Sequence, residues 1–174
     1  MNPIVLAEKV DRAKILDKPA ELVENLASSA ANKIGPKGVD FLHGTWLGHP
    51  LHAALIDLPI GALATGTILN AVGASEAADA SIAVGLLAAV PTAVAGLADW
   101  HVSDKKEIKR TGLVHAATNV AALGCYTASL ISKRKGDRKG GKSLSFLGFA
   151  VLMVGAYLGG HMTYNLGAGQ PDDR

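Results

Sequence analysis

The feature that most constrains this chain is a series of four long stretches that are almost free of charge. They cover residues 51–74, 80–98, 111–132 and 143–167, and Asp57 is the only Asp, Glu, Lys or Arg inside them. About 20 helical residues cross the hydrocarbon core of a bilayer. Lipid offers the backbone no hydrogen bonds, so each crossing segment must satisfy its own N–H and C=O groups as a helix. The sequence therefore predicts four transmembrane helices.

Composition and connection lengths define the predicted arrangement of these helices. Hydrophobic residues make up 49% of the 174 residues and charged residues only 18%, a balance that is unusual for a water-soluble domain of this length. The connections are short, so sequential helices are expected to pack antiparallel. The predicted fold is an all-α integral membrane four-helix up-down bundle over residues 43–169, embedded in the lipid bilayer as a multi-pass protein. A homo-oligomer is left open.

The first 42 residues differ in kind from the rest of the chain. Apolar residues recur there at helical spacing between charged ones, which predicts two short amphipathic helices. Asp17 and Pro19 mark the break between the two, and Ile34-Gly35-Pro36 is a typical helix exit. We expect this segment to lie on the membrane surface, to cover the mouth of the bundle or to dock on a partner. A short polar tail occupies residues 170–174.

Charge, cysteine content and motifs exclude several classes of function. The net charge of +2 is too small, and the basic residues too scattered, to indicate a face that binds nucleic acid. Cys125 is the only cysteine, which rules out an intrachain disulfide and an iron–sulfur cluster held by this chain alone. No nucleophile–base pair or phosphate-binding loop is recognisable, so hydrolase and kinase activities have no support.

The histidines are spaced so that an up-down bundle gathers them at one end. Alternating helices bring the starts of the first and third stretches to the same side as the ends of the second and fourth. The histidines occupy these positions: His43, His49, His52, His101, His115 and His161. The same end contains further residues that are able to contact and orient ligating side chains: Trp46, Asp57, Asp99, Trp100, Asn119 and Tyr164.

Three of these histidines, His52, His115 and His161, lie deepest and arrive on different helices. Facing imidazoles in a bundle core are typical axial ligands of haem b, and His49 is a further candidate. The same three side chains are alternatively the ligands of a zinc or iron ion.

Asp57 and Asp99 are candidate hydrogen-bond acceptors that orient a ligating imidazole, and Asp57 is expected to be buried. A competing interpretation assigns the histidines and tryptophans to the interfacial belt, where amphipathic rings are common. That interpretation fits His43 and His101 best, because both lie at the ends of stretches.

Several motifs resemble those of a known family. They are HGTWLGHPLH at 43–52, LPIG at 58–61, AGLADW at 95–100, GLVHA at 112–116 with Asn119, and YLGGH at 157–161 with Tyr164. In order and spacing these motifs are similar to the bacterial membrane family catalogued as domain of unknown function 2231, over about residues 40–169. Ala53 stands where the family usually has a second proline.

The resemblance implies a redox context in the bacterial cell membrane. Similar members often continue into a Rieske-type 2Fe–2S domain after the fourth helix and share the amphipathic N-terminal region. This chain departs from that form, because residues 170–174 follow directly and carry no Cys/His pairs for a cluster. The resemblance therefore implies a separate iron–sulfur protein as partner.

Two hypotheses of function follow from these patterns. The first is a membrane redox subunit that holds haem b or a metal ion and exchanges electrons with an iron–sulfur partner. The second is a non-catalytic structural or assembly subunit of a membrane complex. Basic residues flank the stretches on both sides, so the sequence does not assign the side of the membrane on which the histidines lie.

Overall fold

The computed structural model describes residues 3–169, and this part of the chain is helical without strands. The all-α prediction is confirmed. The helices are α1 (Pro3–Asp11), α2 (Asp17–Ile34), α3 (Pro36–Leu42), α4 (Leu51–Leu55), α5 (Asp57–Ala71), α6 (Ser75–His101), α7 (Lys106–Arg134) and α8 (Arg138–Tyr164). The predicted polar tail at 170–174 lies outside the described residues.

Three helical segments in the described part of the chain are long and apolar enough to cross a membrane. They are Leu51–Ala71, Ser75–His101 and Arg138–Tyr164. The predicted third stretch, 111–132, lies inside α7, which is long enough to cross but does not meet the same hydropathy criterion. Its polar residues, among them His115 and Asn119, explain the lower hydropathy. The chain is thus an all-α membrane protein, and the four-helix bundle stays a prediction.

The first apolar segment is interrupted close to its start. A turn at Ile56 separates α4 from α5, and Pro59 is the third residue of α5. A proline in the first turn of a helix removes an N–H that has no intrahelical partner, so it initiates the helix rather than kinking it. Pro91, in contrast, lies inside α6.

The N-terminal segment forms the two predicted helices, α1 and α2, and one more. Helix α2 ends at Ile34, where Gly35 adopts a left-handed φ of 77°. Glycine tolerates this conformation without the steric cost of a Cβ. Pro36 then opens α3, a third short helix that the sequence pattern did not predict.

The described chain divides into two compact units. Unit one comprises the chain up to Ala54, then Ala93–Ala116, and then the chain from Gly155 onward. Unit two comprises Leu55–Thr92 and Ala117–Val154. The division cuts through α6, α7 and α8, so each long helix contributes to both units.

Unit two is built around a buried apolar core. Its buried members are Leu63, Ile82, Ala122, Tyr126 and Leu152. The Tyr126 hydroxyl forms a hydrogen bond of 2.8 Å with Thr67 Oγ1, and it lies 3.2 Å from the Leu63 carbonyl oxygen. The helices approach closely at Gly85, where a Cβ would lie 2.7 Å from Leu63 Cγ. Small residues that permit such approaches are the usual basis of helix packing in membranes.

Candidate functional site

Unit one contains every histidine of the chain, at positions 43, 49, 52, 101, 115 and 161. They come from the three sequence segments of this unit, and His101 and His115 lie on different helices, α6 and α7. Trp46, Asp99, Trp100 and Tyr164 belong to the same unit. The candidate site is therefore contained within unit one.

His43 and His101 form one pair of rings in this unit. His43 is buried, and its Nδ1–H donates to Asp99 Oδ1 at 2.9 Å. His101 Nδ1–H donates to the Ala98 carbonyl at 2.7 Å. The two rings lie nearly parallel, 10° apart, with 6.3 Å between their centroids. Asp99 thus accepts a hydrogen bond from an imidazole, that of His43.

His52 packs against the backbone of α6 at Gly96. A Cβ added to Gly96 would lie 2.7 Å from His52 Nδ1 and 2.9 Å from Cε1. Carbon atoms in van der Waals contact are usually 3.5–4.0 Å apart. The absence of a side chain at position 96 is therefore what makes room for the imidazole of His52.

His115 occupies a similar notch on α8. Its Nδ1–H donates to the Gly155 carbonyl at 2.8 Å, and a Cβ at Gly159 would lie 3.1 Å from its Cε1. A carbonyl only accepts, so a neutral His115 carries its proton on Nδ1 and its lone pair on Nε2. His52 lies within electrostatic range of His115. The imidazole of His115 thus lies against Gly155 and Gly159, the Gly-x-x-x-Gly pair of α8.

His161 makes a different contact, with the N-terminal helices. Its Nε2–H donates to Asp11 Oδ2 at 2.9 Å, and Thr111 Oγ1 donates to Asp11 Oδ1 at 2.6 Å. All three side chains are buried or nearly so. Each oxygen of the Asp11 carboxylate therefore has a partner, as a buried charged group requires. This network joins α1, α7 and α8.

The start of α7 holds α2 in place through two ion pairs. Arg110 binds Asp17 with both Nε and Nη2, at 2.6 and 3.1 Å, and Lys109 Nζ lies 3.1 Å from Glu24 Oε1. The hydrogen bond from Arg110 lowers the pKa of Asp17, and this effect exceeds the opposing effect of partial burial. Lys109 Nζ also lies 4.7 Å from the centre of the Trp100 ring, a cation–π distance.

Trp100 closes the turn between α6 and α7. Its indole Nε1–H points to the carbonyls of Ile108 and Lys109, at 3.3 Å each, and its ring fills the space beside Gly112. These contacts are structural, since they fix the helix hairpin that carries His101. Trp100 therefore contacts the backbone at the start of α7.

The other predicted residues lie at the periphery or in unit two. His49 and Tyr164 are exposed, and exposed Trp46 stacks on Phe41 with 5.6 Å between ring centroids. Asn119 belongs to unit two. Asp57 also belongs to unit two, and it is exposed, so the prediction that it is buried is wrong. Asp57 opens α5, and a carboxylate in the first turn of a helix is favoured by the helix dipole without burial.

The predicted metal site of His52, His115 and His161 is not assembled in this structure. Among residues 3–169, no group of three or more His, Cys, Asp or Glu side chains is placed to hold a metal ion. His161 is committed to Asp11, whereas His52 and His115 remain neighbours. The donor set that the structure does bring together is the pair His52 and His115.

Sequence reasoning missed the residues that secure this pair and the N-terminal helices. Gly96 lies in the AGLADW motif, but nothing in the motif indicates which side chain it faces. Asp11, Asp17 and Arg110 look like charges on solvated helix faces, because their partners are about 90 to 150 residues away in sequence. A balanced set of acids and bases in the first 42 residues was the only available signal.

Comparison with known proteins identifies a family. The family model described as predicted membrane protein (DUF2231) matches residues 48–171, which is most of the chain and includes five of the six histidines. No curated protein and no solved structure matches the chain. The expected resemblance is confirmed, and the chain belongs to the DUF2231 family of predicted membrane proteins.

Proposed function

We propose that this chain is a membrane electron-transfer subunit in which His52 and His115 are the ligands of a haem b. The observation that carries the proposal is the proximity of two imidazoles from different helices, each seated against a glycine of a further helix. Helical membrane proteins build cofactor sites from side chains on facing helices in this way. A haem bound there would supply reversible one-electron chemistry at its iron.

The hydrogen bond of His115 supports a ligand role. Donation from Nδ1 to the Gly155 carbonyl fixes the ring orientation and leaves the lone pair on Nε2, the atom that ligates a metal. Metal-ligating histidines usually have such a partner on the second ring nitrogen, which raises the basicity of the ligating one. The residues present therefore fit an axial ligand.

The glycines have a positional role in this proposal. Gly96 and Gly159 let the rings of His52 and His115 lie directly on the helix backbones, which restricts the rotamers of both side chains. Preorganised ligands lose less entropy on binding. Under this proposal the electron partner is a separate iron–sulfur protein, and the other histidines serve structure: His43 with Asp99, and His161 with Asp11.

Spectroscopy on the purified protein tests the proposal. The protein is expressed in cells that make haem and purified in mild detergent, and its absorption spectrum and metal content are measured. We expect a Soret band that shifts on reduction and one iron atom per chain. A protein without a Soret band and without stoichiometric iron would overturn the proposal, and stoichiometric zinc without haem would do the same.

A second candidate function is that of an assembly subunit, and the N-terminal helices favour it. Asp11, Asp17 and Glu24 all point inward to α7 or α8, so the segment is clamped onto these two helices within unit one. Its apolar side chains face outward instead: Ile15, Leu22 and Leu26 are 85%, 64% and 65% exposed. An amphipathic segment held in this manner presents its apolar side to another surface.

This second candidate predicts a change in assembly rather than in spectrum. Replacing Leu22 and Leu26 by Ser should shift the complex extracted from membranes to a smaller size on a native gel. Val72→Ser serves as the control, because Val72 is also exposed and apolar but lies in unit two. This variant should leave the size of the complex unchanged. Equal sizes for all three proteins would contradict the assembly function.

A further inference from the structure

Unit two carries a cavity with a strongly basic lining. Its volume is about 280 Å³, and it lies where α5 ends and α6 begins, next to the connection between α7 and α8. Four of its lining side chains are cations: Lys133, Arg138, Lys139 and Lys142. We call this feature the basic cavity. None of its lining residues belongs to the candidate site in unit one.

The carboxylates nearby do not balance this positive charge. Buried Lys133 donates to Asp79 Oδ1 at 2.7 Å and to Asn70 Oδ1 at 2.9 Å. Arg138 lies 3.8 Å from the other oxygen of the same Asp79, so two cations share one carboxylate. Glu76 lines an adjoining hollow with Arg138. Asp137, directly before Arg138, accepts from the Ser132 hydroxyl and from the Gly140 N–H. With these three acids counted, the four cations leave an excess of one positive charge.

Lys139 and Lys142 are the two lining cations that lie outside these ion pairs. In the described part of the chain, neither has a carboxylate within salt-bridge distance, and Lys142 Nζ donates only to the Ala71 carbonyl at 3.3 Å. Lysine ammonium groups with spare donors around a small cavity are suited to the oxygens of a phosphate group. A cationic ligand would be repelled by such a lining.

The position of the basic cavity indicates where such a phosphate group comes from. Ala71 ends one apolar segment that is able to cross a membrane, and Arg138 begins another. The ends of membrane-crossing helices lie at the level of the lipid headgroups, and basic pockets at this level bind anionic headgroups. We propose that the basic cavity binds the phosphate group of an anionic lipid headgroup; free phosphate has the same chemistry and is the alternative source.

The test measures lipid retention by the full-length protein. Protein is reconstituted into nanodiscs of phosphatidylcholine and phosphatidylglycerol in equal amounts, extracted gently, and its bound lipids are counted by native mass spectrometry. We expect the wild-type protein to retain phosphatidylglycerol in preference to phosphatidylcholine. The Lys139→Ala/Lys142→Ala double variant should retain it about thirtyfold less well, from about 1 kcal/mol for each lysine.

A matched control and a second ligand complete the test. Lys33→Ala/Lys37→Ala removes two exposed lysines from unit one and should retain phosphatidylglycerol like the wild type. Inorganic phosphate at millimolar concentration is assayed in parallel by thermal stabilisation. Stabilisation that is lost only in Lys139→Ala/Lys142→Ala, without lipid preference, would assign the cavity to free phosphate. Equal lipid retention in all variants together with no effect of phosphate would overturn the proposal.

Discussion

Substitution of Gly96 by Ala is the perturbation that probes the seat of His52 most directly. The new Cβ would lie 2.7 Å from His52 Nδ1. Restoring a normal contact would require a movement of about 0.8 Å, because non-bonded heavy atoms are comfortable from about 3.5 Å. The imidazole is the group that must move, since Gly96 is part of the continuous helix α6.

The magnitude follows from two opposing effects. Overpacking by one methyl group typically costs about 1–3 kcal/mol of unfolding free energy. Alanine in a helix is about 0.5–1 kcal/mol more favourable than glycine. We therefore expect Gly96→Ala to destabilise the protein by about 1 kcal/mol net, and to lower haem occupancy if His52 is a ligand.

The assay is a titration of the detergent-solubilised protein with SDS, followed by far-ultraviolet circular dichroism. Gly124→Ala is the matched control, because Gly124 lies in α7 and a Cβ there meets nothing within 4 Å. The control variant should be as stable as the wild type or more stable. The difference in unfolding free energy between Gly96→Ala and Gly124→Ala measures the steric clash with His52, which we expect to cost about 1–3 kcal/mol.

A double variant isolates the contact with His52. In a His52→Ala background the imidazole is absent, so Gly96→Ala should behave like Gly124→Ala. The reasoning is refuted if Gly96→Ala is as stable as Gly124→Ala in the wild-type background, or if its cost is unchanged when His52 is removed.

Three further substitutions test other contacts. Tyr126→Phe should cost about 1 kcal/mol of unfolding free energy, since it deletes a buried hydroxyl shared with Thr67; a cost near zero in the SDS titration would contradict this. Asp17→Asn should make the unfolding free energy less sensitive to acid. Arg110 lowers the pKa of Asp17 below its ordinary 3.8, so the ion pair stabilises the fold above pH 3.8. This stabilisation is lost as the pH falls further and the carboxylate of Asp17 is protonated. Wild-type and Asp17→Asn proteins with parallel stability curves between pH 5 and pH 2 would exclude it. Asp11→Ala should speed tryptic cleavage within residues 3–42, because it removes the anchor of α1; an unchanged cleavage rate would show that α1 is held elsewhere.

The sequence predicted α1, α2, the apolar segments and the grouping of the histidines for physical reasons that need no tertiary information. Hydrophobic periodicity and long uncharged stretches act locally, so α2, α6 and α8 lie close to their predicted bounds. The histidines share one unit, as the alternation of the apolar stretches predicted.

The sequence did not predict which residue each histidine contacts. His161 takes its partner from residue 11 and His115 from residue 155, and such long-range pairs leave no local pattern. Asp57 shows the opposite error: a charge inside an apolar stretch suggests burial, whereas its place in the first turn of α5 leaves it exposed. Gly96 and Gly159 each lie against an imidazole ring from another helix, a contact that no local pattern indicates.

The haem content of single histidine variants is the most direct test of the proposed function. His52→Ala, His115→Ala and His49→Ala proteins are purified alongside the wild type, and haem is quantified per folded chain by its absorption spectrum. The proposal predicts a Soret band in the wild type and in His49→Ala, whose side chain is exposed, and its loss in the other two. A wild-type protein without haem, or equal haem in all four proteins, would contradict it.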